Sequence, residues 1–216
     1  MIAEKTLLLA RHGCTGGEFH QRFFGSTDLP LDTEGRKQAE ALASYVRSRK
    51  PERCFCSPLM RARQTADIVG RKIGLTFDVD PDLREIDFGQ WEGMSFDEIA
   101  ASDPETVRRW AAWEKDFAFP EGESVRDFLE RVKRATNRMV ADSASRILVV
   151  THGGVIRATI CNLLGLPDSQ HLLFGIAPAS VTTIELFDGR GVLTRLNNCP
   201  YMEKQSRGPN YSDHRR

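Results

Sequence analysis

The chain has no surplus of either charge: its 30 basic and 30 acidic side chains cancel across 216 residues. Such a balance sets up no long-range field toward nucleic acid or an anionic membrane, so any anion must be held by locally gathered arginines. A cysteine framework is also missing. Cys14, Cys54, Cys56, Cys161 and Cys199 are odd in number and scattered, which fits reduced thiols rather than a secreted disulfide scaffold or a metal-ligand pattern. Long apolar runs are lacking too. The N-terminal stretch offers only Leu7 to Ala10, too short for a signal sequence, and no run is long enough to span a bilayer. His20, His171 and His214 share no ligand spacing, so no metal site is expected. What these absences leave is a cytoplasmic chain, 40% hydrophobic and sized for one domain with a substantial core.

What is present is an alternation of strand and helix signals. The apolar run Thr6 to Ala10 reads as a buried parallel strand that opens into Arg11-His12-Gly13 and the small residues Cys14 to Gly17. Arg146 to Val150 repeats the arrangement and delivers Thr151-His152-Gly153-Gly154. Ligands of open α/β sheets bind at the carboxyl edge of the strands, so two histidines are expected there together.

Between and beyond these strands, Ala39, Leu42, Ala43 and Val46 mark a helix over Thr33 to Arg49. Arg53 to Cys56 is a short strand. Ser57-Pro58 predicts a helix start that runs through Gln64 and Ile68 to about Arg71. A capping box at Ser95 to Glu98 opens a helix that stops near Pro104, and the helical period resumes over Glu105 to Phe117. Ser124 caps a long helix to about Ser143, Val155 to Leu164 is helical, and Val181 to Phe187 with Val192 to Leu196 form a hairpin around Asp188-Gly189. The pattern predicts a three-layer α/β/α sandwich with a mostly parallel central sheet. Residues 92–123, helical without a strand, are expected to cap the carboxyl edge; residues 1–199 form the domain and 200–216 a loosely ordered tail.

Five ordered blocks carry a resemblance. Leu9-Ala10-Arg11-His12-Gly13-Cys14-Thr15, continuing to Arg22-Phe23-Phe24-Gly25 and Asp28 to Leu31, is followed by Ser57 to Ala66, Leu83 to Gly93, Phe119 to Ser124 and Thr151 to Gly154. Together they resemble the histidine phosphatase superfamily, which includes phosphoglycerate mutases, over roughly residues 5 to 196. The resemblance implies His12 as a nucleophile that forms a phosphohistidine, Glu85 as proton donor and acceptor, and His152 as a transition-state stabiliser, with Arg11 and Arg61 in the catalytic set. It also implies phosphate or substrate contacts from Arg11, Thr15, Glu18, Arg22, Gly25, Arg61, His152 and Gly153, with no cofactor.

The chemistry supports those roles. Arginine's planar fork meets phosphate oxygens bidentately and stays charged, a neutral imidazole attacks phosphorus in line, and neighbouring arginines keep that imidazole neutral. A hydrogen bond to the Gly13 carbonyl is expected to set its tautomer. Asp87 points the other way in an extended segment and is the weaker acid, Glu92 reads as structural, and Arg63 as solvated. Trp91, Trp110 and Trp113 read as core or cap packing. The family's first motif commonly has a polar residue where Cys14 stands and Asn where Glu18 stands.

A short, acid-containing cap segment, Trp110 to Glu123, favours a hydrolase over a phosphoglycerate mutase. Trp113, Phe119 to Ser124, Ile147 to His152 and Leu164-Gly165-Leu166-Pro167 resemble α-ribazole phosphatases of cobalamin assembly most, which implies α-ribazole 5′-phosphate as substrate. A non-catalytic phosphate-ester binding module is the third reading. The partner expected is a small phosphate monoester, with no nucleic acid or membrane; a homodimer is compatible with the sequence.

Overall fold

The first apolar run of the chain serves two half-cores at once. In the computed structural model, which describes residues 3–16, 22–112, 114 and 116–200, strand β1 (Lys5–Arg11) sends Leu7 and Leu9 into one hydrophobic cluster and Leu8 and Ala10 into another. Successive side chains of a strand point to opposite faces. β4 (Arg146–Thr151) divides the same way, Ile147 and Val149 against Leu148 and Val150, all 0% exposed. At about 2 kcal/mol for each buried aliphatic side chain, these runs anchor the sheet centre, and burial on both faces requires a helical layer on each side.

Those layers are present. On the Leu8 side lie α1 (Thr33–Arg47) and α2 (Met60–Ile73), contributing Leu42, Ala43, Val46, Ala62, Ala66 and Val69. On the Leu7 side lie α5 (Val125–Ala141) and α6 (Gly153–Leu164), contributing Val132, Ala135, Met139, Val155, Ile156 and Ile160. The remaining strands are β2 (Arg53–Cys56), β3 (Asp78–Val79), β5 (Val181–Phe187) and β6 (Arg190–Asn198). The sheet order is β3-β2-β4-β1-β5-β6; the first four strands are parallel, and β5 and β6 add an antiparallel edge. The α/β sandwich with a mostly parallel sheet is therefore the observed fold. Two short helices, α3 (Phe96–Ser102) and α4 (Pro104–Ala111), occupy the stretch between Gly93 and α5.

Local chemistry explains most boundaries. Asp32 caps α1 by accepting from the Gly35 amide, Ser95 and Glu98 form a reciprocal capping box on α3, and Ser124 accepts from Asp127 at the start of α5. Asp188 and Gly189 both have positive φ, 49° and 72°, the backbone a tight hairpin turn demands.

Three expectations are corrected and one strand is added. α2 starts at Met60 rather than at Ser57-Pro58, because the Ser57 amide is still tied to the Val150 carbonyl of β4 at 3.0 Å. The helix expected to Phe117 ends at Ala111, since Phe117 leaves the helical path to pack, 1% exposed, among Trp91 and Phe119. α6 starts at Gly153, two residues early, with His152 as its N-cap. The two-residue β3 is too short and exposed to leave a periodic signal. All of the expected tail except Pro200 lies outside the described residues, and no helix among the described residues is long and apolar enough to cross a membrane.

Candidate active site

Two neighbouring parallel strands end level with each other. Arg11 of β1 pairs with Thr151 of β4, and one residue later the His12 amide donates to the Thr151 carbonyl at 2.9 Å. His12 and His152 thus leave the sheet side by side, with ring centroids 5.1 Å apart. Gly13 then turns against the first turn of α1. A Cβ on Gly13 would lie 2.4 Å from the Gly35 carbonyl oxygen, and one on Gly35 would lie 2.1 Å from that of Cys14. Backbone meets backbone there, which only glycine allows.

The partners of His12 fix its tautomer. Its Nδ1 lies 2.7 Å from the Gly13 carbonyl oxygen, which can only accept, so Nδ1 carries the proton. Arg61 Nε, which can only donate, lies 3.3 Å from Nε2. The lone pair is therefore on Nε2. Burial, then the Arg61 and Arg11 guanidinium groups, hold the His12 pKa well below 6.5, against a smaller opposing effect of the Gly13 bond. The ring is neutral at physiological pH.

His152 is 0% exposed, and its pKa is likewise held well below 6.5 by burial first and Arg61 second. Its Nε2 lies 2.7 Å from Ser57 Oγ, whereas Nδ1 is buried without a hydrogen-bond partner. Sequence reasoning gave Ser57 no role beyond starting a helix. Its position directly after β2, the strand beside β4, was the available signal.

Arg61 enters from the first turn of α2, 2% exposed. Nη1 donates to the Thr27 carbonyl at 2.8 Å and Nη2 to the Gly25 carbonyl at 2.7 Å, which leaves Nε as the edge turned to His12. The loop that receives this fork is itself held by Glu92. Its carboxylate accepts from the amides of Gly25, Ser26 and Thr27, from Thr27 Oγ1 at 2.6 Å and from the Phe88 amide. Gly25, expected to touch phosphate or substrate, gives its amide to Glu92 and its carbonyl to Arg61. Arg22 lines the pocket but pairs with Glu98 at 2.8 Å.

Glu85 follows a single-turn 3-10 helix, Pro81–Leu83, and is 9% exposed. Its Oε1 accepts from the Ile86 amide at 3.1 Å and its Oε2 from the Gly154 amide at 2.9 Å. The Gly154 amide is thus engaged with Glu85. Asp87 faces elsewhere, accepting from Ser26 Oγ and the Gly89 amide. Arg11, whose Nη1 donates to the Ile176 carbonyl at 2.6 Å, lies against Gly153.

Arg11, His12, Cys14, Thr15, Arg61 and Glu85 line one pocket of about 110 Å³. Burial pushes the Cys14 thiol above its ordinary pKa, so it is no standing thiolate. Sharing Arg11, Arg22, Phe24 and Glu85 with this pocket is a vestibule of about 450 Å³. Phe23, Phe88, Trp110, Phe119 and Phe128 contribute its aromatic walls. Trp91 is 3% exposed and braces Trp110 edge to face at 5.7 Å. Glu18 and Trp113 lie outside the described residues.

A neutral imidazole with a directed lone pair, two arginines and a carboxyl group around one small pocket, with a second buried histidine beside the first, define an α/β protein built to handle phosphoryl groups. The chain belongs to the histidine phosphatase superfamily, branch 1, whose family model matches residues 7–199.

A bifunctional protein of Mycobacterium tuberculosis is 34% identical over 91% of this chain, which spans only 54% of that relative. An adenosylcobalamin/alpha-ribazole phosphatase of Salmonella typhimurium is 30% identical over 89% of this chain and 96% of its own. Among solved structures, a putative alpha-ribazole-5′-P phosphatase from Escherichia coli superposes with a TM-score of 0.82 at 28% identity, covering 90% of this chain and 96% of its own. A mycobacterial glucosyl-3-phosphoglycerate phosphatase gives 0.81 at 30% identity, covering 90% and 99%.

Proposed function

We propose that this chain is a phosphomonoester hydrolase working through a phosphohistidine on His12. The observation that carries this reading is the buried, neutral His12 imidazole, its lone pair on Nε2 and its other nitrogen tied to Gly13 at 2.7 Å, in one pocket with Glu85. In the first step Nε2 forms a bond to phosphorus as the ester P–O bond breaks, and Glu85, protonated, passes its proton to the leaving oxygen. Water then attacks phosphorus and gives a proton to the Glu85 carboxylate, and the N–P bond breaks to release inorganic phosphate.

Arg11 and the Nε edge of Arg61 neutralise the charge on the transferred group. His152 joins them through Nδ1, the buried nitrogen without a partner. We assign the Ser57 hydroxyl, which accepts from the Leu59 amide, as the donor to His152 Nε2, an arrangement that puts the imidazole proton on Nδ1. Thr15 and Gly153 complete the substrate contacts.

The aromatic vestibule supports a leaving group with a flat ring, and α-ribazole 5′-phosphate, with its benzimidazole, is the substrate we assign. A panel of α-ribazole 5′-phosphate, phosphoglycerates, phosphoserine and sugar phosphates, read as kcat/KM for phosphate release, tests it. The ribazole ester is expected to lead. Transfer of phosphate between phosphoglycerate carbons with little free phosphate would identify a mutase, and binding without turnover a sensing module. Rapid quenching must also trap acid-labile phosphate on His12; none there sinks the covalent route.

A further inference from the structure

The segment that carries Glu85 is gripped by a helix whose other part in the proposed chemistry is the Phe128 wall of the vestibule. Along α5, Phe128, Val132, Ala135 and Met139 form the buried stripe, and inside it stands Arg131, 2% exposed. Its Nε and Nη2 fork onto the two oxygens of Glu123 at 2.7 and 2.8 Å. The remaining N–H groups reach three carbonyls of one stretch: Asp82 at 2.9 Å and Arg84 at 2.6 Å from Nη1, and Glu85 at 3.0 Å from Nη2. All five guanidinium donors are thereby used. Glu123 closes the clasp from the other side, its amide donating to the Asp87 carbonyl at 3.0 Å. Further along α5, Arg134 and Arg138 hold Asp82 and Asp80 at the surface.

A buried ion pair is poor value as core filling, since desolvating two charges offsets most of their attraction and an apolar pair of the same volume often does as well. What this pair adds is direction. Three carbonyls converging on one planar cation fix the backbone on which Glu85 stands, and a lysine, with a compact charge and no fork, cannot reproduce that pattern. We infer that Arg131 and Glu123 are the positioning pair of Glu85, a role that rests on the acid function proposed for Glu85.

The leaving group provides a readout that a merely structural role would not move. Glu85→Gln is the reference: its kcat/KM is expected to fall by about a hundredfold more on an alkyl phosphate, whose leaving oxygen needs a proton, than on 4-nitrophenyl phosphate. Arg131→Lys is expected to follow the same pattern, losing about tenfold or more on the alkyl ester and under about threefold on the nitrophenyl ester. Inhibition by inorganic phosphate stays unchanged. Glu123→Gln carries the same expectation and decides the matter if Arg131→Lys does not fold. Equal losses on both esters, or none on either, overturn the inference while a leaving-group dependence in Glu85→Gln leaves the acid role standing. If Glu85→Gln itself shows no such dependence, the acid role fails and this inference with it.

Discussion

The two halves of the site are held by different kinds of bond. His12 and His152 stand on the ends of adjacent strands, set by a backbone ladder and by cores on both faces of the sheet. Arg61 and Glu85 stand where side chains have to do the holding, Glu92 for the loop that receives the Arg61 fork and Arg131 with Glu123 for the acid segment. A ladder shares its load over many residues, whereas each strap can be cut by one substitution. The contrast teaches where single changes separate chemistry from fold.

The largest effect is expected on the sheet side. His12→Ala removes the proposed nucleophile and should lower turnover by about four orders of magnitude or more, with thermal melting showing the fold intact; near-full turnover would sink the assignment. On the strapped side, Glu92→Ala unpairs the amides of Gly25, Ser26, Thr27 and Phe88 and loosens the receiver of Arg61. Misplacing a charge-stabilising group by an ångström costs about a hundredfold in kcat/KM, and unlike His12→Ala this variant should also melt earlier. An unchanged melting point would erase the distinction between the halves.

Acid should weaken the sheet side through its histidines. Both are held well below 6.5, by burial first and by Arg61 second. Above 6.5 neither the folded nor the unfolded chain protonates them; below it the unfolded chain takes up protons that the folded chain refuses, so stability is lost as pH falls. Each histidine contributes up to about 1.4 kcal/mol per pH unit. Urea titrations between pH 6.5 and 5.5 should register this slope, and His152→Asn should remove its own share. A slope unaltered by that substitution would contradict the low pKa. The smallest effect belongs to Ser57→Ala, which takes the partner from His152 Nε2. At about 1 kcal/mol for such a bond, kcat/KM should drop about fivefold with little change in the affinity for inorganic phosphate; a larger fall in that affinity would place Ser57 in phosphate binding itself.

The same contrast decided what could be read from the amino-acid order. β1, β2, β4, the apolar stripe of α1, the capped starts of α3 and α5 and the Asp188-Gly189 turn are local patterns, and each was legible. So was the Gly13 partner of His12, one residue away in the chain. Bonds that cross the fold were not. Ser57 meets His152 across 95 positions, and Arg131 meets the Glu85 carbonyl across 46. One trace of the latter existed, for an arginine on the apolar stripe of α5 must have a buried partner. Gly25 illustrates the limit from the other side, since its place in a family motif said that it matters without saying that it faces Glu92 and Arg61.

The level ending of β1 and β4 has a consequence for how this site can vary. Sliding either strand by one residue would not only shift one histidine past the other; it would turn Leu7 and Leu9, or Ile147 and Val149, into the opposite core. The 5.1 Å between the two rings is therefore a ruler engraved in the hydrophobic sheet. Loops around it can lengthen, and caps can be exchanged to admit other esters, while the gauge of the reaction stays the same.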